Sequence, residues 1–490
     1  MNYSIILKSQ LENNHRLDAE YYQSQYMEIR NILLDKFSGV KLEKLISAQV
    51  VTGSTPTQRD CRNDGTDIPF IKTDTVREGV VNFAFADYMP LKASIENSKP
   101  KAKDILVTII GATQEIVGRA AFVYEDYPDM NINQNIARIR TGNTLNPYFL
   151  EAFLRGKYGR YQLWQQSRQT EQVNLNCREV EQIIIPQFNE DIYLEIQNLM
   201  TASRTAVIQS QEYYAQAENI LLKTLGLINF QSESTNSCIV NLSDVQSVNR
   251  IDADYFQPKY AELIDRLKKF NSTPLTTVIN NISAKFNPLA HPDQQFRYVE
   301  LADIDSTIGI INNCSEMMGK EAPSRAKRLL KEGDVIVSSV EGSLNKTALV
   351  EKQYDGSLAS TGFFQFRSNK FLPEVILIMA KSMVLQMQLT RECAGTILTA
   401  VPKESLNRIL VPEVEDRIQK EIASLVKESH LARQKSKELL EQAKKTVEEM
   451  IEKRGDNIWV YIMPKNSFPK TCDYSETHKH NQKNLIYTQA

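Results

Sequence analysis

The chain has 490 residues, which is enough for several domains with separate cores. Its hydrophobic fraction of 42% and charged fraction of 24% are ordinary for a globular protein. The formal net charge of −2 excludes a broad positively charged surface, so any contact with nucleic acid must come from local clusters.

The compartment is predicted from the N-terminus and the cysteines. The first residues, Met1-Asn2-Tyr3, show no basic start followed by a long apolar core, so no secretion signal is expected. No apolar run approaches the roughly 18 residues that cross a bilayer. The six cysteines form no CxxC pair, and the five histidines provide no zinc-ligand spacing. We therefore expect a cytoplasmic protein without a metal site.

The chain order predicts two mixed domains alternating with long helices. Repeat-segment helices are expected over residues 17–38 and about 253–270, and Gly226 is placed to end the first long helix. The predicted order is an N-terminal repeat segment (1–38), a first mixed domain (39–188), a central helix (189–226), a connector with a second repeat segment (227–272), a second mixed domain (273–412), a C-terminal helix (413–454) and an unassigned tail (455–490).

Inside the first mixed domain, short β-rich runs at residues 68–71 and 105–110 are separated by polar turns. Asn146 and Pro147 stand in the order of a helix cap and a first helical residue, ahead of an apolar run that ends at Arg155.

The two long helices carry the same seam, in which buried-type residues alternate at steps of four and three. Each member of the second set lies 226 residues after its counterpart (418 − 192 = 226), and seven of the ten are identical. The pattern predicts that the helices pack on each other in an internally duplicated molecule with pseudo-twofold symmetry. The first set is Ile192, Ile196, Leu199, Ser203, Ala206, Ser210, Tyr213, Ala217, Ile220 and Thr224, and the second is Ile418, Ile422, Leu425, Ser429, Ala432, Ser436, Leu439, Ala443, Thr446 and Met450.

The duplication extends to a short motif ahead of each mixed domain. The motif from Arg16 to Gln23 recurs from Arg250 to Gln257, at an offset of 234 (250 − 16 = 234). Its aromatic residues can pack on the seam helices, while its arginine and acids can pair or face a partner protein. Because the motif recurs in both halves, we expect it to carry no sequence discrimination.

The search for catalytic motifs found none. A P-loop needs Gly-Lys followed by Ser or Thr, but Gly156-Lys157 precedes Tyr158 and Gly319-Lys320 precedes Glu321. Neither GxSxG nor HExxH occurs. The string nearest to an amino-methyltransferase signature, residues 146–148, lacks one proline and is better explained as the helix start. The chain is therefore predicted to be a binding protein.

This arrangement resembles the specificity subunit of type I restriction–modification systems. The resemblance covers about residues 4–454 and rests on the ordered set of two unlike mixed domains and two matched helices. Single motifs are weaker, namely residues 52–56 at the start of the first domain and residues 70–72 with Asp74. The implied fold is α+β, with two mixed α/β target-recognition domains separated by two long antiparallel coiled-coil helices and a pseudo-twofold internal repeat.

The resemblance also implies a function. Each recognition domain would read one half of a split double-stranded DNA sequence in the major groove, with the helices as a spacer. Two methyltransferase subunits would dock on the helical core and transfer methyl groups from S-adenosylmethionine to adenines. Restriction subunits would complete the nuclease. The specificity subunit itself would catalyse nothing and would bind neither a cofactor nor a membrane.

Candidate DNA contacts follow from base chemistry, because Arg and Lys read guanine, Asn and Gln read adenine, and basic groups hold phosphates. We expect basic clusters to lie ahead of equivalent strands in the two domains. The candidates are Lys99, Lys101, Lys103, Gln114, Arg119, Arg168 and Gln169 in the first domain, and Arg325, Lys327, Arg328, Asn345 and Lys346 in the second.

Two alternatives remain open. A duplicated scaffold that binds two proteins fits the near-neutral charge better than a DNA reader does. A modification enzyme with its own active site is disfavoured by the missing signatures. Binding of random duplex DNA tests the first alternative, and incubation with labelled S-adenosylmethionine tests the second.

The length of the seam yields the first testable prediction. From residue 192 to 224 a helix rises roughly 50 Å at ~1.5 Å per residue, which suits half-sites separated by about one to one and a half turns of B-DNA. Inserting a few residues into either long helix should change the number of base pairs between the half-sites. A methylation-site map of such a variant measures this, and unchanged spacing would refute the spacer role.

Overall fold

A computed structural model describes residues 16–454 except 57–66, 78, 84–85, 114–115, 126–128, 169–172, 233–238 and 395–398. Its described residues form two compact units. The first contains the chain up to Thr205 together with the segment from Ser436 onward, and the second contains Ala206 to Lys435. Each unit therefore holds one half of each long helix.

The helices follow the predicted order. They are α1 Ser24–Phe37, α2 Pro147–Arg155, α3 Lys157–Gln166, α4 Cys177–Glu181, α5 Glu190–Thr224, α6 Leu242–Val248, α7 Pro258–Lys268, α8 Leu275–Val278, α9 Pro373–Lys381, α10 Met383–Glu392 and α11 Asp416–Arg454.

The strands divide into two series. In the first unit they are β1 Val40–Lys41, β2 Ala48–Thr52, β3 Asp67–Ile71, β4 Val76–Arg77, β5 Val80–Val81, β6 Asp87–Pro90, β7 Ile105–Thr108, β8 Ile110–Gly111, β9 Ala120–Phe122, β10 Asn131–Ile132, β11 Ile136–Arg140, β12 Val173–Asn174 and β13 Ile184–Ile185. In the second unit they are β14 Thr273–Pro274, β15 Asn280–Asn281, β16 Gln295–Val299, β17 Ile304–Asp305, β18 Ile310–Ile311, β19 Ser315–Met318, β20 Ala326–Leu329, β21 Val335–Ser338, β22 Thr347–Leu349, β23 Leu358–Ser360, β24 Phe363–Arg367 and β25 Leu410–Val411.

The two units share one sheet topology. The main sheet runs β2-β11-β7-β9 in the first unit, with β5 and β4 added at one edge, and β15-β24-β21-β22 in the second. A smaller sheet runs β10-β3-β6 in the first unit, and its counterpart is β23-β16-β19 with β20 added. In both smaller sheets the first pair is parallel and the second is antiparallel. The fold is therefore α+β, with one mixed architecture built twice.

The long helices confirm the seam prediction within each unit. In the first unit the Ser203 hydroxyl donates to the Ser436 carbonyl oxygen at 2.9 Å, and in the second the Ser429 hydroxyl donates to the Ser210 carbonyl oxygen at 2.7 Å. Moving seven residues forward in α5, from Ser203 to Ser210, moves the partner seven residues back in α11, so the helices are antiparallel. Ser429 is the repeat counterpart of Ser203, and Ser436 is the counterpart of Ser210. The two serine pairs are therefore equivalent, as the pseudo-twofold repeat requires.

Each long helix also buries a second stripe, which faces the mixed domain. In the first unit Met200 and Val447 join a core made by the main sheet and α2 and α3. In the second unit Leu221 and Val426 join the equivalent core with α9 and α10. The four-three pattern did not predict this second stripe, because its residues are the sequence neighbours of the seam positions.

The remaining helix predictions are confirmed except at the two repeat segments. The helix predicted at about 253–270 spans only Pro258–Lys268, because residues 253–256 form a turn. Asn146 caps α2 by accepting hydrogen bonds from the N–H groups of Tyr148 and Phe149, with Pro147 as the first helical residue. Gly226 adopts a left-handed φ of 62° just after α5. The helix predicted over residues 17–38, however, begins only at Ser24. Its first part is wrong because residues 18–22 form two successive turns, which close from Tyr21 to Asp18 and from Tyr22 to Ala19.

The close packing of the seam predicts that a larger side chain destabilises the protein between the two helices but not on their exposed face. Ser436 is buried between the helices, so Ser436→Leu should lower the free energy of unfolding by about 1–3 kcal/mol, because an overpacked interface forces side chains and backbone apart. Urea denaturation followed by circular dichroism measures this. Gln442→Leu, at an exposed position of the same helix, should change stability by less than about 0.5 kcal/mol, and equal losses in the two variants would contradict the packed seam.

Candidate nucleic-acid interface

A buried carboxylate holds the start of the central strand in each unit. Asp104, just before β7, receives the Lys101 N–H at 2.8 Å and pairs with the Arg140 guanidinium at 2.6 Å. Asp334, just before β21, receives the Lys331 N–H at 2.9 Å and pairs with Arg367 at 2.7 Å. Because a buried carboxylate is costly unless it is paired and hydrogen-bonded, this arrangement fixes the turn that precedes each strand.

That turn decides which residues of the two domains are equivalent. Lys103 has a left-handed φ of 70°, and Gly333 has the same conformation with φ 82°. Their N–H groups donate to the Val123 and Val350 carbonyls respectively. The counterpart of the lysine string is therefore residues 329–333. The prediction that Arg325, Lys327 and Arg328 occupy the matching place is wrong, because those residues lie at or on β20, an edge strand of the smaller sheet.

At the other end of β7, polar loops of the first unit converge. We call residues 52–56, 109–113, 116–119, 133–135, 167–168 and 173–174 the first loop edge. Gly53 donates to the Asn133 carbonyl at 3.2 Å, and a Cβ on Gly53 would lie 1.6 Å from the Ile132 carbonyl oxygen, so only glycine permits this approach. Ile109 donates to the Asn135 carbonyl at 2.9 Å. Arg168 and Asn174 form an antiparallel bridge that closes the edge.

The second unit builds the same edge after β21. We call residues 339–346, 360–362, 393–394 and 399–401 the second loop edge. Ser339 donates to the Gly362 carbonyl at 2.9 Å, and Val401 donates to the Ser339 carbonyl at 2.8 Å. Ala394 and Ala400 form the bridge that corresponds to Arg168 and Asn174, since both lie 226 residues later (394 − 168 = 226, 400 − 174 = 226).

The structure separates the candidates of the first domain. Arg119 and Arg168 lie on the first loop edge, and the Arg168 side chain, which is 58% exposed, pairs with Glu179 at 3.1 Å. Gln114 and Gln169 lie outside the described residues. Lys99, Lys101 and Lys103 lie at the opposite end of β7, where Lys99 pairs with Asp129 at 2.9 Å. The lysine string and the two arginines therefore do not form one surface.

The candidates of the second domain fall into exposed and engaged groups. Arg325 and Lys327 are exposed, and the Arg325 carbonyl accepts the N–H of Thr361 at 2.9 Å, which places Arg325 beside the second loop edge. Asn345 is exposed on that edge.

Two further candidates are engaged inside the second unit. The Lys346 ammonium donates to the Ile304 carbonyl at 2.8 Å. Arg328 is buried and donates to the Ile282 carbonyl at 2.6 Å, and burial lowers the pKa of its guanidinium to about 10.

Sequence reasoning missed one pair of turns at the centre of the loop edges. Residues 133–135 connect β10 to β11, and residues 361–362 connect β23 to β24. Gln134 and Thr361 are the exposed members of these turns. The Asn-Gln-Asn string between two apolar runs signals a polar turn, but only the strand pairing shows that this turn lies beside Gly53 and Ile109.

The described residues limit other kinds of site. Among them, no group of three or more His, Cys, Asp or Glu side chains is placed to hold a metal ion. Within the same residues, no helix is both long and apolar enough to cross a membrane.

Comparisons with known proteins give low similarity in sequence and structure. No family model and no curated protein sequence matches the chain. The type I restriction–modification S subunit from M. genitalium matches with a TM-score of 0.39 at 11% identity, covering 85% of this chain and 95% of that one. The HsdS subunit from Thermoanaerobacter tengcongensis matches with a TM-score of 0.28 at 13% identity, covering 85% and 96%.

The exposed pair beside the second loop edge yields the next prediction. Arg325→Ala with Lys327→Ala should weaken specific duplex binding about tenfold or more, because each basic contact to a base or phosphate contributes on the order of 1–3 kcal/mol. Titration of a duplex selected from random-sequence DNA, at matched salt, measures this. Lys101→Ala with Lys103→Ala removes the same charge far from the first loop edge and should have a smaller effect. Equal affinities for the Arg325/Lys327 variant and the unaltered chain would reject the assignment.

Proposed function

We propose that the chain is the DNA-reading specificity subunit of a type I restriction–modification complex. Each mixed domain reads one half of a bipartite duplex sequence through its loop edge. The chain is non-catalytic, and two methyltransferase subunits that bind S-adenosylmethionine methylate adenines at the site it selects. Restriction subunits add cleavage in the full complex.

The proposal is supported by the two polar loop edges, which share one backbone arrangement but carry different side chains. Arg168 and Asn174 stand where the second unit has Ala394 and Ala400. The exposed turn residue is Gln134 in the first unit, whereas its counterpart in the second is Thr361. An identical frame with different side chains at equivalent positions is what a reader of two unlike half-sites requires.

The side chains of the loop edges suit direct reading of base edges. Gln and Asn can form paired hydrogen bonds with adenine, Arg can do so with guanine, and Thr can contact either a base or a phosphate. We assign base reading to Gln134, Arg168 and Asn345, with Gln114 and Gln169 as further candidates. Arg119, Arg325 and Lys327 are assigned to phosphate or guanine contacts. Arg328 and Lys346 are left out because their charged groups bond to carbonyls inside the second unit.

A duplicated scaffold for two proteins is the alternative that the net charge of −2 favours. The two functions differ in a simple binding experiment. A DNA reader with its methyltransferase partner retains a selected duplex on a filter and releases it as salt rises, because phosphate contacts displace counterions. A pure scaffold retains none at any salt concentration.

Assigning one half-site to each loop edge predicts separable effects. Gln134→Ala should change the methylated sequence in one half of the motif only, and Thr361→Ala should change it in the other half only. Adenine methylation mapped across the genome of cells that express each variant measures both outcomes. Gln209→Ala, at an exposed position of α5, should change neither half. A motif that changes in both halves in either loop variant, or that has no split form, would overturn the proposal.

A further inference from the structure

The last residue of the central strand carries a buried hydroxyl group in each unit. Thr108 ends β7 and Ser338 ends β21, and both residues are completely buried. They are equivalent, because each follows the buried aspartate of its unit by four residues (108 − 104 = 4, 338 − 334 = 4). A buried hydroxyl is costly unless it is hydrogen-bonded, so its partners show which part of the chain it holds.

In the first unit this residue binds the turn that leads into β9. The Thr108 hydroxyl donates to the Ile116 carbonyl and accepts the N–H of Arg119 at 3.1 Å. The N–H of Thr108 donates to the Arg119 carbonyl at 2.9 Å, and its carbonyl accepts the N–H of Gly118 at 2.7 Å. One strand residue therefore makes four hydrogen bonds to residues 116–119, the first strand-end turn.

The second unit holds the equivalent turn in the same way. The Ser338 hydroxyl lies 3.0 Å from the Ser343 hydroxyl and accepts the N–H of Val340 at 3.1 Å. The N–H of Ser338 donates to the Lys346 carbonyl at 3.0 Å. The strand residue therefore binds both ends of residues 340–346, the second strand-end turn.

A helix side chain also binds each turn. Arg160 of α3 donates to the Val117 carbonyl at 3.2 Å, and Gln386 of α10 donates to the Leu344 carbonyl at 3.1 Å. Arg160 and Gln386 are repeat counterparts at the offset of 226 (386 − 160 = 226). Val117 and Leu344 are both buried in the core of their unit. Each turn is thus fixed by the central strand, by a helix and by its own apolar residue.

The side chains that these supports hold differ between the units. The first strand-end turn carries the partly exposed Arg119, whereas the second carries the exposed Glu341 and Asn345. Reading a base edge requires the reading group to be held within about 0.5 Å of the productive geometry. A turn that is fixed before DNA arrives also loses less conformational entropy on binding. The shared supports therefore suit a reading surface whose residues vary.

We propose that Thr108 and Ser338 are positioning residues for DNA reading, each of which fixes the strand-end turn that reads one half-site. This inference rests on the proposed function, which assigns one half-site to each loop edge. Both hydroxyls are buried, so they act through the side chains of the turns and do not touch the duplex. Arg160 and Gln386 support the same turns from the helices.

The test measures discrimination at each half-site separately. The full chain with its methyltransferase partner is titrated with a duplex selected from random-sequence DNA and with two duplexes in which one half-site or the other is replaced. Thr108→Val exchanges the hydroxyl for a methyl group of similar size. It should lower discrimination about tenfold at one half-site, because the turn loses a buried hydrogen-bond partner. Ser338→Ala should lower it about tenfold at the other half-site only.

A rescue and a matched control separate positioning from general destabilisation. Thr108→Ser keeps the hydroxyl and should restore discrimination. Thr205→Val removes a hydroxyl from an exposed position of α5, where it donates to the Thr201 carbonyl at 3.1 Å, and should change neither half-site. Thr108→Val combined with Arg119→Ala should lose less than the sum of the two single losses, because the hydroxyl acts through that turn.

The outcomes distinguish this inference from the proposed function. Unchanged discrimination in Thr108→Val and Ser338→Ala, even with a lower melting temperature, would overturn the positioning role while the proposed function stands. An equal loss at both half-sites in either variant would do the same. Failure of the unaltered chain and its partner to prefer any duplex would overturn both. Gln386→Leu should affect the same half-site as Ser338→Ala, and it supplies the test if a strand variant does not fold.

Discussion

The close approach of two helices at small side chains is the constraint on which this architecture depends. A serine hydroxyl that donates to a backbone carbonyl of the facing helix, as Ser203 does to Ser436 at 2.9 Å, leaves no room for a larger residue. Because each helix also packs its neighbouring stripe against a mixed domain, a helix that moved outward would lose two interfaces together. The seam therefore couples helix pairing to domain packing inside each unit.

A second constraint is the burial of a charged group at the same point of each domain. Asp104 and Asp334 are almost completely buried, and each binds a backbone N–H and an arginine. Removing the arginine would leave a charge in a poorly solvated place, and both units contain the same carboxylate–arginine pair. The frame is thereby fixed at one end of the central strand, while the loops at the other end differ freely between the units.

Regular periodicity and strong local signals made the frame predictable. The Asn146-Pro147 helix start and the stop at Gly226 reflect interactions within a few residues along the chain. The four-three seam is a periodicity visible in each helix alone, although its contacts join residues 233 positions apart. The structure confirms all three. The turn at residues 18–22 was mistaken for helix because its cause, capping of α3 by Arg16, lies 150 residues away.

The composition of the loop edges was hard to predict for the same reason. Gln134 lies near Gly53 only through pairing of distant strands. Lys101 looks like a DNA contact in the sequence, but the sheet places it at the far end of β7. Arg328 and Arg325 look alike in sequence, yet one is buried against the Ile282 carbonyl and the other is exposed. Side chains alternate between exposed and buried from Arg325 along the edge strand β20, which leaves Arg325 exposed and Arg328 buried. This strand was not predicted from the sequence.

The near-neutral net charge is compatible with a DNA reader once the location of the acids is considered. Glu151 is fully buried, and burial raises the pKa of its carboxyl, while its partner Arg155 lies nearer the surface. Glu392 is likewise buried, and Arg408, which pairs with it, is 38% exposed. Such pairs add nothing to the net charge, and in each of them the carboxylate is buried while the guanidinium is the more exposed member. A count of charged residues therefore underestimates how much positive potential the surface can present locally to a phosphate backbone.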